Sequence, residues 1–384
     1  MKVAIAGAGT MGAGIAQVAA SAGHEVLLFD INEKVLKSSG HGLKSTLEKL
    51  VSKGKFTQSF AENIIKRITF TSDFNLIAGS SLVIEAVIED VAIKRDLFKG
   101  IEALVADDTI IATNTSSLSI AEITSVLKKP GRALGIHFFN PAPVLPLVEI
   151  IPSLLTENAT TDKVAKLIKD WGKTPVIAQD LPGFIVNRIA RPYYGEALRI
   201  YEEGIADFSE IDQIMKSHGF KMGPFELMDL IGNDVNYTVS ETVYREYYHD
   251  SRYKPSLLQK RMKQAGLLGR KSGRGFYDYY RSNETTTNTV SNDNSDQIFL
   301  RIISMLINEA AEAVRLNIAS IDDIETAMTK GVNYPKGLLK WADELGLDNV
   351  FYELTRLQNY YGEERYRPSP LIREYSLTNR KFLD

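Results

Sequence analysis

Two groups of residues in this sequence have types and spacing that could do chemistry. Gly7-Ala8-Gly9-Thr10-Met11-Gly12 is a GxGxxG run that follows the apolar stretch Val3–Ala6 and opens a helix-like apolar segment, Met11 to Ala22. The next apolar run ends at Asp30, 18 residues after Gly12. In this setting Gly7 allows a tight turn, Gly9 lets the backbone approach a pyrophosphate, and Gly12 lets the helix pack against the strand. The helix N-terminus adds free N–H groups and the positive end of a dipole. Asp30 can accept both hydroxyls of a ribose and would repel a 2′-phosphate, so the cofactor expected here is NAD rather than NADP.

The second group centres on an imidazole. Hydride transfer to or from a nicotinamide is commonly coupled to the movement of a proton. That calls for a general base titrating near neutrality, and histidine is the natural choice. There are five histidines. His24 sits in a turn, His218 precedes Gly219 at a helix end, and His41 and His249 lie among polar neighbours. His137 alone falls inside an apolar run, at a strand end where open sheets place ligands. Glu149 is the only acid between Gly135 and Ile151. A buried glutamate is costly unless paired, and the simplest partner is His137, a distant Arg or Lys being the alternative. Ser116 lies just past the strand-like run Thr109–Ala112. It could cap the next helix, but Ser119 and Glu122 already have capping-box spacing.

The elements that must position these residues show in the hydrophobic pattern. Val3–Ala6, Glu25–Phe29, Leu82–Glu85, Thr109–Ala112 and Ala133–Ile136 are short Val/Ile/Leu-rich runs with helix-like segments between most of them. This βαβ alternation predicts a parallel sheet buried on both faces. Residues 33–66 interrupt the rhythm with a Lys-rich helical spacing broken at Gly54, expected as an inserted helical hairpin. Thr174–Ala178 is the last predicted strand, after which Leu181-Pro182-Gly183 punctuates the chain and the pattern turns helical. Residues 281–296 hold one apolar residue, Val290, and read as a flexible linker.

The helical part repeats. Ile205–Asp212 matches Ile318–Glu325, and Arg252–Ser256 matches Arg365–Ser369, both at an offset of 113. Gly223, Asp229 and Gly232 match Gly337, Asp343 and Gly346 at an offset of 114. The expected architecture is an α/β Rossmann-type N-terminal domain (1–183) followed by two all-α helical domains in tandem (184–282 and 296–384), joined by a linker at 283–295. At the first offset Asn187, a neutral donor that could hold a substrate hydroxyl or keto oxygen, falls opposite Leu300, so the second copy is expected to be non-catalytic.

Composition narrows the classes. The 384 residues carry a net charge of −3 and contain no cysteine. Thiolate nucleophiles, disulfides and cysteine metal sites are excluded, and no basic excess suggests nucleic acid. No metal site is expected. The longest apolar candidate for a membrane span, Ile136–Ile151, is broken by Pro141, Pro143 and Pro146. With no leader-like N-terminus, the expected location is cytoplasmic.

Taken together, GAGTMGAGIAQ (7–17), NTSSLSI (114–120), HFFNPAPVLPLVE (137–149), PGFIVNRI (182–189) and LLGRKSGRGFYDY (267–279) are similar to the L-3-hydroxyacyl-CoA dehydrogenases, including bacterial 3-hydroxybutyryl-CoA dehydrogenases. The resemblance covers roughly residues 1–282, and 296–384 resembles a second copy of the family's helical domain. It implies NAD-dependent oxidation of L-3-hydroxyacyl-CoA to 3-ketoacyl-CoA, and the reverse, with His137 and Glu149 as the catalytic pair. It further implies that Ser116 and Asn187 bind the substrate oxygen. Glu89, Lys94, Asn114 and Asn140 are implied near the nicotinamide half of NAD, Lys53 and Lys55 near CoA, and Lys260 near NAD. The partner is then an acyl-CoA, with no nucleic acid or membrane. The protein is expected as a monomer or homodimer in which the second helical copy takes the place of a partner subunit's domain. A dehydrogenase of a small hydroxy or sugar acid, similar to gulonate dehydrogenase and lambda-crystallin, is the alternative.

Overall fold

A computed structural model describes residues 1–280 and 294–383. The chain divides into two units, Met1–Leu181 and Pro182–Asp384. The expected linker lies almost wholly outside the described residues.

The first unit runs β1 (Lys2–Ala6), α1 (Thr10–Ser21), β2 (Glu25–Phe29), α2 (Glu33–Ser52), α3 (Gln58–Lys66), β3 (Ile68–Thr71), β4 (Leu82–Glu85), α4 (Val91–Leu104), β5 (Ile110–Thr113), α5 (Ile120–Thr124), β6 (Ala133–Phe138), β7 (Leu147–Ile151), α6 (Asn158–Asp170) and β8 (Thr174–Ile177). The strands form one sheet in the order β3-β2-β1-β4-β5-β6-β7-β8. Val3, Ile5, Val26 and Leu28 bury on one face, while Ala4, Ala6, Leu27 and Phe29 bury on the other. Helices therefore cover both faces, which is why these strands read as unbroken apolar runs. The strand order reverses between β1 and β4, and ligands of open α/β sheets bind beyond the strand ends at such a point.

Two features differ from expectation. The sheet is mixed rather than wholly parallel, because β7 pairs antiparallel with β6. Residues 139–146 join them, too short a segment for a parallel crossover, so the chain must double back. β3, a Thr-containing edge strand beside β2, carried no apolar run and was not expected. The inserted hairpin is present as α2 and α3. Asn32 caps α2 by accepting from Lys34 N, and Thr57 caps α3 by accepting from Phe60 N.

The second unit is helical: α7 (Val186–Ile189), α8 (Arg191–Glu202), α9 (Phe208–Ser217), α10 (Pro224–Ile231), α11 (Asn233–Glu246), α12 (Leu257–Gln264), α13 (Ser295–Arg315), α14 (Ile321–Gly331), α15 (Leu338–Leu345), α16 (Leu347–Tyr361) and α17 (Pro370–Thr378). The repeat recurs in its hydrogen bonds. Asp212 accepts from Phe225 N at 2.8 Å and Glu226 N at 2.9 Å, tying α9 to the start of α10. Glu325 does the same for α14 and α15, accepting from Leu339 N at 2.8 Å and Lys340 N at 3.2 Å. Asp229 accepts from Phe276 N and Tyr277 N, and Asp343 from Phe382 N and Leu383 N.

The two helical stretches also exchange ion pairs. Arg188 Nε donates to Glu309 at 2.6 Å, and Tyr253 donates its hydroxyl to the same carboxylate at 2.5 Å. In the converse direction Arg301 Nε donates to Glu196 at 2.6 Å, and the Tyr366 hydroxyl joins at 2.8 Å. Arg188 and Arg301, Glu196 and Glu309, and Tyr253 and Tyr366 each stand 113 positions apart.

Candidate active site

The glycine turn follows β1 directly. Gly7 has φ +110°, and a Cβ there would lie 2.5 Å from the Ala86 carbonyl oxygen, so only glycine fits between β1 and the end of β4. A Cβ on Gly12 would lie 1.8 Å from the Gly7 carbonyl oxygen, so its task of close packing is met. Gly9 differs. It caps α1 with no side-chain hydrogen bond, and a Cβ there would meet nothing within 4 Å. The space over Gly9 and the exposed Thr10 is open, with helical N–H groups at its base, as a pyrophosphate cradle requires. Met11 instead turns toward the core. Asp30 Oδ2 accepts from Ala8 N at 2.8 Å and Oδ1 from Asn32 N at 2.9 Å. The carboxylate thus ties β2 to the glycine turn, and each oxygen retains acceptor capacity for a ribose hydroxyl. The cradle fits NAD.

A buried polar network stands beside it at the ends of β4 and β5. Glu85 is fully buried and accepts from Lys94 Nζ at 2.6 Å, Val87 N at 2.7 Å and the Thr113 hydroxyl at 2.6 Å. Lys94 also reaches Glu89 at 3.1 Å, so the two residues singled out from the sequence do meet. Glu89 in turn accepts from the Thr115 and Ser117 hydroxyls and from Ser116 N at 3.3 Å. Burial pushes the Glu89 carboxyl up, but the Lys94 charge and the hydroxyl donors outweigh it and hold it below its ordinary value. The network keeps an anionic, hydrogen-bonded floor under the Ser116 loop. Glu85, Thr113 and Thr115 were missed in the sequence. An acid closing the apolar run LVIE was the available signal.

The catalytic candidates meet on neighbouring strands. β6 and β7 pair with His137 directly opposite Glu149. Directly opposed residues of an antiparallel pair project on one face, a few ångströms apart. His137 Nδ1 and Glu149 Oε2 lie 2.7 Å apart, with the glutamate fully buried and His137 only 6% exposed. The Phe139 ring packs on the imidazole with centroids 4.5 Å apart. Asn114 Oδ1 accepts from Phe138 N at 2.8 Å, pinning the end of β5 beside the histidine. Asn140 follows in the β6–β7 loop. Ser119 caps α5 as its spacing predicted, and Asp180, which sequence reasoning missed, accepts from Ile120 N and Ala121 N at 2.8 and 2.7 Å.

Other candidates stand elsewhere. Lys53 and Lys55 are exposed at the turn between α2 and α3. Asn187 lies on α7, and Lys260 is exposed on α12, beside a cavity of about 600 Å³ that also takes in Arg199, Lys254 and Arg365. Among the described residues no group of His, Asp or Glu could hold a metal ion, and no helix is long and apolar enough to cross a membrane.

Comparison with known proteins identifies the family. The 3-hydroxyacyl-CoA dehydrogenase NAD-binding domain matches residues 2–181, and the C-terminal domain of the same family matches 183–279 and 298–381. The chain is 36% identical to 3-hydroxyadipyl-CoA dehydrogenase of Escherichia coli K12, across 98% of this chain and 97% of that protein. It is 44% identical to 3-hydroxybutyryl-CoA dehydrogenase of Clostridioides difficile, over 73% of this chain and 99% of that one. A crystal structure of 3-hydroxybutyryl-CoA dehydrogenase from Escherichia coli K12 superposes with a TM-score of 0.93 at 36% identity, covering 98% of both chains. With the family's two domain models matching nearly all of the chain, the chain belongs to the 3-hydroxyacyl-CoA dehydrogenase family of NAD-dependent oxidoreductases.

Proposed function

We propose that the protein interconverts L-3-hydroxyacyl-CoA and 3-ketoacyl-CoA, with His137 as general base and Glu149 as the group that orients it. The single observation that carries this reading is the 2.7 Å contact between His137 Nδ1 and Glu149 Oε2 across β6 and β7. Bound NAD supplies the hydride acceptor at its nicotinamide ring. The chain's own groups handle the proton and the oxygen. Glu149 accepts the Nδ1 hydrogen, which leaves Nε2 as the nitrogen that takes the hydroxyl proton from C3. As the ring becomes imidazolium, the adjacent carboxylate stabilises its charge, as in other carboxylate–histidine pairs. Ser116 and Asn187 are proposed to hold the substrate oxygen without changing charge. Lys53 and Lys55 are proposed for the phosphates of CoA. Asn114, Asn140, Glu89 and Lys94 are proposed for the nicotinamide half of NAD, and Lys260 for NAD more loosely. Initial rates of acetoacetyl-CoA reduction with NADH and NADPH test the proposal. Turnover preferring NADH is expected, and turnover of a free hydroxy acid but no CoA ester would refute it. A cytoplasmic location is part of the same proposal.

The exchanged pairs support a tandem organisation of two helical domains, with 296–384 in the place a second subunit's domain would take. In a twofold interface, residue i of one copy meets j of the other, and j meets i. Arg188 with Glu309, and Arg301 with Glu196, meet that condition within one chain. Light scattering at micromolar concentration is expected to show a monomer. An obligate dimer paired through residues 184–282 of both chains would overturn this reading.

A further inference from the structure

α7 is a single turn that meets α8 across one helical residue, Ala190, and a turn so short has little stability of its own. Its geometry comes from α8 and from what it packs against. Val186, Arg188 and Ile189 are buried, and Asn187 is the one residue of α7 that is not. Arg191 Nε donates to the Asn187 carbonyl oxygen at 2.8 Å, which holds the backbone on one side. A further anchor is Arg188, fully buried, with Nε on Glu309 at 2.6 Å and Nη1 on the Tyr247 hydroxyl at 3.1 Å. Among the described residues Nη2 of the same guanidinium is buried without a hydrogen-bond partner, and Glu309 is the one carboxylate in hydrogen-bond contact with it. Glu309 is itself 3% exposed, on α13 in the second helical stretch.

We infer that Glu309, acting through Arg188, is a positioning residue for Asn187, so that the second helical copy takes part in turnover although it carries no catalytic group. The inference rests on the reading that Asn187 holds the substrate oxygen. The molecule contains its own control. The converse pair, Arg301 with Glu196, is also buried and as short, although Arg301 reaches a second carboxylate, Glu203, at 3.0 Å and Glu196 a second cation, Arg199, at 2.6 Å; the residue preceding Arg301 is Leu300, which can contact no substrate oxygen through a hydrogen bond. Breaking either pair removes a buried charge partner and destabilises the fold. Only the Glu309 pair sits next to a polar group that the reaction is proposed to use.

The test is a double-mutant cycle on the full chain, measuring kcat and KM for 3-hydroxybutyryl-CoA oxidation at saturating NAD, well below each variant's melting temperature. Glu309→Gln is expected to lower kcat at least about tenfold in the otherwise unchanged chain and less than about twofold in an Asn187→Ala background. Glu196→Gln is expected to lower the melting temperature, by less because Arg301 keeps Glu203, while kcat stays within about twofold. The inference is overturned if Glu309→Gln leaves kcat unchanged, if it costs as much with Asn187→Ala as without, or if Glu196→Gln lowers kcat equally. If Asn187→Ala alone leaves kcat unchanged, the reading of Asn187 fails first, and the inference falls with it. Should Glu309→Gln not fold, Glu309→Asp replaces it in the same cycle, since it keeps the charge but shortens the reach.

Discussion

The two helical stretches of the second unit share a framework and differ in chemistry. In both, a buried or half-buried carboxylate (Asp212, Glu325) caps the next helix, and a glycine (Gly223, Gly337) makes room where a Cβ would strike that carboxylate. In both, a second aspartate (Asp229, Asp343) gathers the backbone of a closing segment. Gly232 and Gly346 repeat the same positive-φ turn, at +103° and +84°. Yet where one stretch has Asn187 the other has Leu300. The comparison separates what burial demands from what the proposed reaction would demand. Backbone N–H groups at a buried helix start must find acceptors whatever the protein does, so the caps persist. A half-exposed position next to a locked arginine carries no such demand, so its side chain can differ. The first unit shows the same division, with Gly7 and Gly12 serving packing and His137 proposed for the chemistry.

The largest effect should come from His137→Ala, which removes the proposed base and leaves the sheet standing. Its kcat should fall by about 10²–10⁴-fold, with NADH binding measured by fluorescence unchanged. Full retained activity would remove the imidazole from the mechanism. Next, Asn187→Ala should lower kcat by about 10–10³-fold, whereas Leu300→Asn should change it by less than about twofold. Equal effects would erase the distinction between the two stretches. Framework changes should act on stability alone. Asp229→Ala strands two backbone donors in a buried setting and should cost about 2–3 kcal/mol in denaturant unfolding, with Asp343→Ala, at a half-buried position, nearer about 1–2 kcal/mol. The smallest effect is a pH dependence. Burial pushes the Asp212 carboxyl up to about 7 from an ordinary value of 3.8, and burial also raises Glu325. The folded chain then binds more protons than the unfolded one between those values. The contribution of Asp212 is therefore fully present below pH 3.8 and is lost as pH rises toward 7. Asp212→Asn stays neutral throughout, so between pH 5 and pH 8 the wild type should lose about 2–4 °C of melting temperature relative to it. Parallel pH profiles for the two proteins would show that Asp212 ionises freely in the fold.

Much of the first unit could be read from residue pattern. Strands buried on both faces leave apolar runs, and the runs at Glu25–Phe29 and Leu82–Glu85 coincide with β2 and β4. The inserted hairpin followed from its helical spacing, because α2 and α3 each bury one stripe. β3 escaped notice because an edge strand buries little, and its Thr residues carry no periodic signal. The reversal of β7 escaped for a different reason. The proline-rich loop hid a second strand within what looked like one broken apolar stretch.

Residue types, spacing and internal repetition were enough to locate the dinucleotide turn, to point to NAD, to single out the histidine and a candidate acidic companion, and to raise the tandem reading of the helical part. Each of these is a local pattern or a self-match, and local chemistry is written along the chain. Only the folded chain decided which groups touch. The antiparallel register set Glu149 opposite His137, burial drew Glu85 onto Lys94 beneath the Ser116 loop, and the packing of one helical copy on the other set Glu309 against Arg188. Those contacts join residues up to 121 positions apart. A buried charge accepts whichever partner the packing brings within reach, and no sequence pattern encodes that distance.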